Sequence, residues 1–161
     1  MTKSKKHLDL EKIINYDFKD KQLLKRALTR PSYANEKNIA KEKHQEALCT
    51  LGDAIVKVVV MELAINYGET KKKYMDLVKK IYENKYILAV LFNTLELWKF
   101  IDWGKGEKKD NIWEGTNGIR TSAECFEALM GAIYLDGKMK NAYQVFWHVF
   151  SLSEKKYLGK K

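Results

Sequence analysis

Residues 44–57, HQEALCTLGDAIVK, place acidic side chains on a segment that otherwise has the pattern of a buried helix. One stripe of the predicted helix is apolar at steps of three and four residues, which is typical of a face packed against the interior. Its members are Leu48, Leu51, Ile55, Val58 and Val59. The opposite face is half apolar, so we expect it to be covered as well. That face carries Glu46, Cys49, Asp53, Val56 and Val60.

Asp53 needs a partner on a helix that is apolar on both sides. An unpaired buried carboxylate is costly or stays protonated, and a divalent metal ion is one partner that avoids this. Gly52 directly precedes it. A glycine inside a helix costs about 1 kcal/mol relative to alanine, but its missing side chain lets a second backbone approach closely. The segment therefore predicts a second helix that contains small residues and acids.

Residues 120–136, RTSAECFEALMGAIYLD, match that description. Glu124 and Glu127 are three positions apart and share a helix face, with small residues on or near it. If the two helices cross closely, Asp53, Glu124 and Glu127 can surround one hard cation. The pattern alone leaves an alternative open, in which these acids are solvated on ordinary amphipathic helices.

The wording of the two segments, LGDAIV and ECFEALMGAIYLDG, resembles the two signature stretches of the ribonuclease III family catalytic domain. FKDKQLLKRALTRPSYANE upstream, and NKYILAV and WGKGE between the signatures, follow the family's order. The resemblance covers residues 16–137. It implies an all-α fold, the ribonuclease III endonuclease-domain helical fold, and a homodimer whose valley accepts double-stranded RNA.

Composition agrees with one globular domain that has an anionic partner. The chain has 161 residues, of which 45% are hydrophobic and 32% charged, and its formal net charge is +9. Two cysteines make no disulfide framework, and no signal peptide or membrane-spanning run is present, so we expect a cytoplasmic protein with no membrane partner. We interpret residues 1–161 as a single catalytic domain with its core at 8–150, a basic tail at 151–161 and no separate double-stranded RNA-binding domain.

The remaining pattern predicts a chain of helices joined by short turns. The predicted helices cover residues 8–14, 21–29, 44–67, 71–81, 84–95, 120–136 and 139–150. Gly68 and Thr70 are predicted caps, and residues 35–43 a polar linker. Residues 71–81 have an apolar stripe of Tyr74, Leu77, Val78 and Ile81. Trp98, Phe100 and Trp103 are interpreted as packing residues rather than as base-stacking residues.

Residues 104–118, GKGEKKDNIWEGTNG, form a basic loop that leads directly into the acidic helix. We predict RNA contacts from Lys105, Lys108, Lys109 and Arg120, because cations beside a metal cluster can bind phosphates. A merely solvated loop is the alternative. Arg30 stands where the family commonly has histidine, and it is interpreted as a phosphate contact or, preferably, a surface cation.

The resemblance also implies the chemistry: hydrolysis of structured RNA to 5′-phosphate and 3′-hydroxyl ends with Mg²⁺, for which Mn²⁺ can substitute. Asp53 and Glu127 match the family's two most indispensable acids, so they are the predicted catalytic residues. Together with Glu124, which stands where aspartate is usual, they are the predicted metal ligands. Glu46 matches a further family acid and is assigned a supporting place beside the ligands or on the RNA side.

Cys49 departs from the family, whose full-length enzymes carry a glutamate ligand at that position. A thiol is a poor magnesium ligand. The Mini-III branch, with its catalytic domain alone, resembles this chain in the ALxxxGDAI wording and in a non-acidic residue there, so the change need not abolish RNA processing. Two alternatives remain: a catalytically weakened, RNA-binding or ribosome-associated relative, and a metal-dependent hydrolase of nucleotides, which the positive charge makes less attractive.

Overall fold

The computed structural model describes residues 3–66, 68, 71–83, 85–113 and 115–158. In these ranges the regular elements are helices, and a single bridge between Thr29 and Asp102 is the only extended pairing, which confirms the all-α prediction. The helices are α1 Lys3–Ile14, α2 Lys21–Ala27, α3 Pro31–Glu36, α4 Glu46–Asn66, α5 Lys72–Glu83, α6 Tyr86–Thr94, α7 Lys105–Lys109 and α8 Gly115–Leu158. Short 3₁₀ turns cover Lys41–Lys43 and Leu97–Phe100. None of these helices has the length and hydropathy that crossing a membrane requires.

Helices α4 and α8 form the centre of the fold and touch backbone to backbone. A Cβ atom built on Gly52 of α4 would lie 1.7 Å from the main-chain oxygen of Glu127 in α8. A Cβ atom on Gly131 of α8 would lie 2.2 Å from the main-chain oxygen of Leu48 in α4. The prediction of a second helix with small residues, crossing close to Gly52, is therefore confirmed.

The close crossing also decides which part of α4 is buried. Val56 and Val60 are buried, so the second face is covered at these two positions. Asp53 and Glu46 on the same face have side chains 40% and 76% exposed, so the prediction that this face is covered is wrong for the two acids. Val58 was likewise expected inside but is 49% exposed. The helix is rotated so that Gly52 faces α8, and this places Val58 at the edge of the buried arc.

Several helix boundaries differ from the sequence prediction, among them the start of α8 at Gly115 rather than at residue 120. Helix α1 begins at Lys3, five positions before the predicted start, and α2 ends at Ala27. Residues 31–36, which are not among the predicted helices, form α3, because Pro31 both ends the preceding segment and opens a new helix at its first position. Gly68 has φ = +86°, as a glycine after a helix end should. Residue 67, the predicted end of that helix, and the predicted cap Thr70 lie outside the described residues.

Packing around α5 and the tryptophans gives a mixed outcome. Tyr74 and Leu77 were expected on a packed stripe of α5, but both are exposed, so that prediction is wrong for these two residues. Trp103 is buried and Trp98 stacks on Trp113 with ring centroids 5.0 Å apart, so the packing interpretation of the tryptophans is confirmed.

Helix α8 is interrupted at Lys138, where φ is 64°, close to the predicted boundary between two helices. Asp136 ties this break to the turn after α1. Its carboxylate accepts hydrogen bonds from the Tyr16 hydroxyl at 2.7 Å and from the main-chain N–H groups of Lys19 and Asp20 at 3.0 and 2.9 Å. Burial acts to raise the pKa of Asp136, but these donors outweigh it and lower that pKa below its usual value.

We expect Gly52→Ala to lower the free energy of unfolding by about 1–3 kcal/mol or more, because the added methyl group would overlap the Glu127 carbonyl. Urea denaturation measures the loss. Gly106→Ala is the matched control: nothing lies within 4 Å of its added Cβ, so it should be neutral or slightly stabilising. Equal stability of the Gly52→Ala variant and the unmodified protein would contradict the close crossing.

Candidate functional site

Glu127 lies on α8 directly at the crossing with α4, and its side chain is only 1% exposed. Its Oε2 atom accepts a hydrogen bond from Cys49 Sγ at 3.3 Å and one from Lys85 Nζ at 3.2 Å. Its Oε1 atom is buried and has no hydrogen-bond partner among the described residues. A buried oxygen without a partner is costly in a purely structural role, so this carboxylate is suited to act as a metal ligand.

Electrostatics connect Glu127 to Asp53 on α4. Burial is the largest influence on the pKa of Glu127 and raises it. The Lys85 ammonium and the Cys49 thiol act to lower it, the negative charge of Asp53 raises it further, and the net direction is upward. The charge of Asp53 therefore acts on Glu127, although the two predicted catalytic acids are far apart in the sequence.

Each of the predicted ligands is paired with its own cation. Asp53 Oδ2 lies 3.0 Å from Lys57 Nζ, one helical turn further along α4. Glu124 Oε1 accepts from Arg120 Nε at 2.9 Å, and Glu124 Oε2 from Arg30 Nη1 at 3.3 Å. In the described ranges no three acidic, histidine or cysteine side chains converge as closely as one ion would need, so Asp53, Glu124 and Glu127 do not surround a single point as the helix crossing alone suggests.

We call the three predicted ligands Asp53, Glu124 and Glu127 the acidic cluster. Cys49 and Glu46 lie on the side of this cluster nearest Arg30. Together with Glu124 they line a cavity of about 260 Å³. Burial raises the pKa of the Cys49 thiol, and the charges of Glu127 and Glu124 raise it further, so Cys49 is a neutral donor to Glu127. Glu46 is exposed at the rim, with His44 Nε2 3.8 Å away.

The predicted RNA-contacting lysines belong to a short helix, α7, rather than to an irregular loop. Lys105, Lys108 and Lys109 are all exposed, and Arg120 is 82% exposed. The start of α7 is held in place, because the main-chain N–H of Lys105 donates to Glu36 Oε1 at 2.7 Å. The cations thus extend into solvent from a fixed element.

Arg30 is not the surface cation that we preferred from the sequence. Its side chain is only 12% exposed and lies between Glu107 of α7 and Glu124 of α8. The preferred interpretation is wrong because two carboxylates, distant in the sequence, enclose the guanidinium group.

Sequence reasoning missed the cations that hold the acids. Lys57 follows Asp53 by four positions, so helical spacing could have identified this pair. Lys85 has no such signal. It stands in a left-handed conformation immediately before α6, with φ = 58°, and only the tertiary fold brings it to Glu127.

Several known proteins are similar to this chain over most of its length. A family model described as ribonuclease-III-like matches residues 20–152. The chain belongs to the ribonuclease III family. It is 36% identical over 143 residues to Ribonuclease 3 of Oleidesulfovibrio alaskensis, covering 88% of this chain and 61% of that protein. It is 34% identical over 153 residues to Ribonuclease 3 of Fusobacterium nucleatum, covering 94% of this chain and 62% of that protein. This ribonuclease III-like chain thus spans about three fifths of the length of these relatives.

Solved structures show which part of the family the chain represents. Two structures of the nuclease domain of ribonuclease III from Campylobacter jejuni superpose on it. The first, described for structural flexibility in a region involved in dimer formation, has a TM-score of 0.76 and 26% identity, covering 89% of this chain and 95% of that one. The second has a TM-score of 0.73 and 27% identity, covering 94% and 96%. The predicted ribonuclease III catalytic-domain fold is confirmed.

We expect Lys85→Met to lower the free energy of unfolding in metal-free buffer by about 1–3 kcal/mol, because it leaves the buried Glu127 carboxylate without its cation. Urea denaturation with a chelator present measures the effect. The control is Lys99→Met, which breaks an exposed pair with Glu96 and should cost less than about 1 kcal/mol. Adding Glu127→Gln to Lys85→Met should recover part of the loss. Equal losses in the two single variants would contradict charge compensation at Glu127.

Proposed function

We propose that this chain is a divalent-metal-dependent endoribonuclease that hydrolyses double-stranded or structured RNA, leaving 5′-phosphate and 3′-hydroxyl ends. The buried carboxylate of Glu127 carries the proposal: one of its oxygens is without a partner in the described part of the chain, beside Asp53. The name Ribonuclease 3 on the relatives supports the same reaction and does not favour the non-catalytic alternative.

The three predicted ligands carry the kind of ligand atom that a hard cation prefers, although in the described ranges they do not converge on one point. Carboxylate oxygens are the ligands that Mg²⁺ and Mn²⁺ prefer, and a buried, unpartnered oxygen on Glu127 is available for one. We assign Asp53, Glu124 and Glu127 to hold the ion, with Mg²⁺ as the expected metal and Mn²⁺ as a substitute. When bound, such an ion makes a coordinated water more acidic and stabilises the charge that develops on the phosphate.

The residues around the carboxylates fix their orientation through hydrogen bonds and ion pairs. The Cys49 thiol and the Lys85 ammonium both donate hydrogen bonds to Glu127 Oε2, which leaves Oε1 available to bind a metal ion. Lys57 compensates Asp53 in the same way. Each acid is thus paired with a cation, which offsets the repulsion between the carboxylates. Glu46, at the rim, is assigned to the RNA side of the site.

We assign substrate binding to electrostatic attraction between exposed cations and RNA phosphates. Lys105, Lys108 and Lys109 of α7, together with Arg120, extend from the same side of the fold that carries Glu124. The formal net charge of +9 favours a polyanion, and A-form RNA is recognised mainly through its phosphates and shape. The affinity for RNA should therefore fall steeply as the salt concentration is raised.

Both cysteines are free thiols, which suits RNA processing in the reducing cytoplasm.

We base the proposed homodimer on an apolar surface of α4, beside α5, that the described residues leave uncovered. Val58 and Ile65 are 49% and 58% exposed, and with Val60, Met61 and Lys79 they line a concavity of about 500 Å³. Single exposed apolar residues are ordinary, but a contiguous patch of this kind marks an interaction site. A second copy of the chain is the proposed occupant, supported by the dimer-forming region described for the Campylobacter jejuni domain. Two acidic clusters related by a twofold axis would then cut opposite RNA strands.

We expect Asp53→Asn and Glu127→Gln each to slow cleavage of a defined RNA duplex with Mg²⁺ by about a hundredfold or more, since each removes an ionised metal ligand. Melting by circular dichroism and gel-shift affinity for the duplex should change little. Glu96→Gln, an exposed glutamate paired with Lys99, is the control and should cleave normally. Failure of the unmodified protein to cut any duplex, with Mg²⁺ or Mn²⁺, would overturn the proposed function.

We expect Val58→Asp to convert the dimer to a monomer, because it places a carboxylate in the apolar concavity. Analytical ultracentrifugation across a concentration series measures the association. Leu8→Asp is the control, since Leu8 on α1 is equally exposed but lies outside that surface. A monomeric unmodified protein, or a Val58→Asp variant that stays dimeric, would contradict the proposed interface.

A further inference from the structure

We propose that Arg30 is a positioning residue that couples the basic helix α7 to the acidic cluster, by holding Glu107 and Glu124 with one guanidinium group. The inference rests on the proposed function, in which α7 binds RNA phosphates and Glu124 helps to hold the metal ion. It concerns a position where this chain has arginine and the family commonly has histidine.

The guanidinium group uses different nitrogens for the two carboxylates. Arg30 Nε and Nη2 donate to Glu107 Oε1 at 3.1 and 2.9 Å, while Nη1 donates to Glu124 Oε2 at 3.3 Å. The Trp103 ring lies against it, with its centroid 5.9 Å from Arg30 Cζ. A planar fork with five donors can serve two carboxylates in a fixed geometry, which a lysine ammonium at the end of a flexible chain cannot do.

The α7 end of this bridge is held from several sides. The second oxygen of Glu107, Oε2, accepts hydrogen bonds from the Ser32 hydroxyl and from the Gly104 N–H. The main chain of Arg30 is also attached to the segment before α7, because its N–H donates to the Asp102 carbonyl at 3.3 Å. Helix α7 therefore cannot shift without disturbing Arg30.

The other end of the bridge shows why Arg30 and Arg120 have different tasks. Both bind Glu124, but Arg120 is 82% exposed and Arg30 only 12%. An exposed arginine can leave the carboxylate for an RNA phosphate at little cost, since surface ion pairs are weak. The buried Arg30 would then remain on Glu124 and keep it oriented. The lysines of α7 and the Glu124 carboxylate are thereby held at a constant separation.

Arg30→Lys keeps the positive charge but removes the planar guanidinium fork, so it is the decisive variant. Steady-state cleavage of a defined RNA duplex should show kcat reduced about tenfold or more, because misplaced reacting groups are slow. KM should change by less than about threefold, since the α7 cations that bind phosphate remain. Arg26→Lys is the matched control: Arg26 Nε donates to the His44 carbonyl rather than to Glu107 or Glu124, so both constants should be unchanged.

A second measurement needs neither RNA nor metal. Trypsin cuts after lysine, so the rate of cleavage within residues 105–109 reports how firmly α7 is held. Arg30→Lys should raise this rate several-fold, and so should Glu107→Gln, which breaks the bridge from the other end and serves if the first variant folds poorly. Arg26→Lys should leave the rate unchanged.

The outcomes separate the bridge from the proposed function. If the unmodified protein cuts no RNA, the proposed function fails, and the trypsin comparison still decides whether the bridge holds α7. Unchanged trypsin rates in both bridge variants would overturn the coupling even if RNA is cleaved. A raised trypsin rate with an unchanged kcat, or a loss confined to KM, would overturn the positioning role.

Discussion

The direct backbone contact between α4 and α8 is the constraint on which the rest of this structure depends. It exists because Gly52 and Gly131 carry no side chain where each faces a main-chain oxygen of the other helix. At ordinary helix separations a residue at position 127 would face a layer of side chains. Here Glu127 reaches Cys49 of α4 and is influenced by the charge of Asp53. Packing and the acidic site are therefore consequences of one contact.

Gathering carboxylates in a partly buried region creates a repulsion that the fold must offset. The chain does so with a separate cation for each acid: Lys57 for Asp53, Lys85 for Glu127, and two arginines for Glu124. These cations come from four different segments of the chain. The departure from the family at position 49 agrees with the same logic, because a neutral thiol at that position binds Glu127 without adding another negative charge.

Periodicity predicted the parts of the fold whose cause is local. The two acidic helices, the close approach at Gly52 and the interruption of α8 near Asp136 could all be read from spacing and residue type. It failed where burial depends on distant partners. Val58, Tyr74 and Leu77 are apolar and correctly spaced, yet they are exposed, because covering them needs a surface that the described part of one chain does not supply. The prediction for Arg30 failed for the opposite reason: it was expected at the surface but is enclosed by Glu107 and Glu124, which lie 77 and 94 positions away in the sequence.

By itself, the sequence indicated the family through the wording of its motifs, and it predicted the helices and the candidate ligands Asp53, Glu124 and Glu127 from residue identity at short, regular intervals. The tertiary structure alone decided that Glu127 is buried with one oxygen unpartnered in the described chain, that Lys85 compensates it, and that Arg30 joins α7 to Glu124. The physical reason is that charge compensation acts through space over a few ångströms. A helix repeat specifies which residues share a face but not which distant cation will be placed against it.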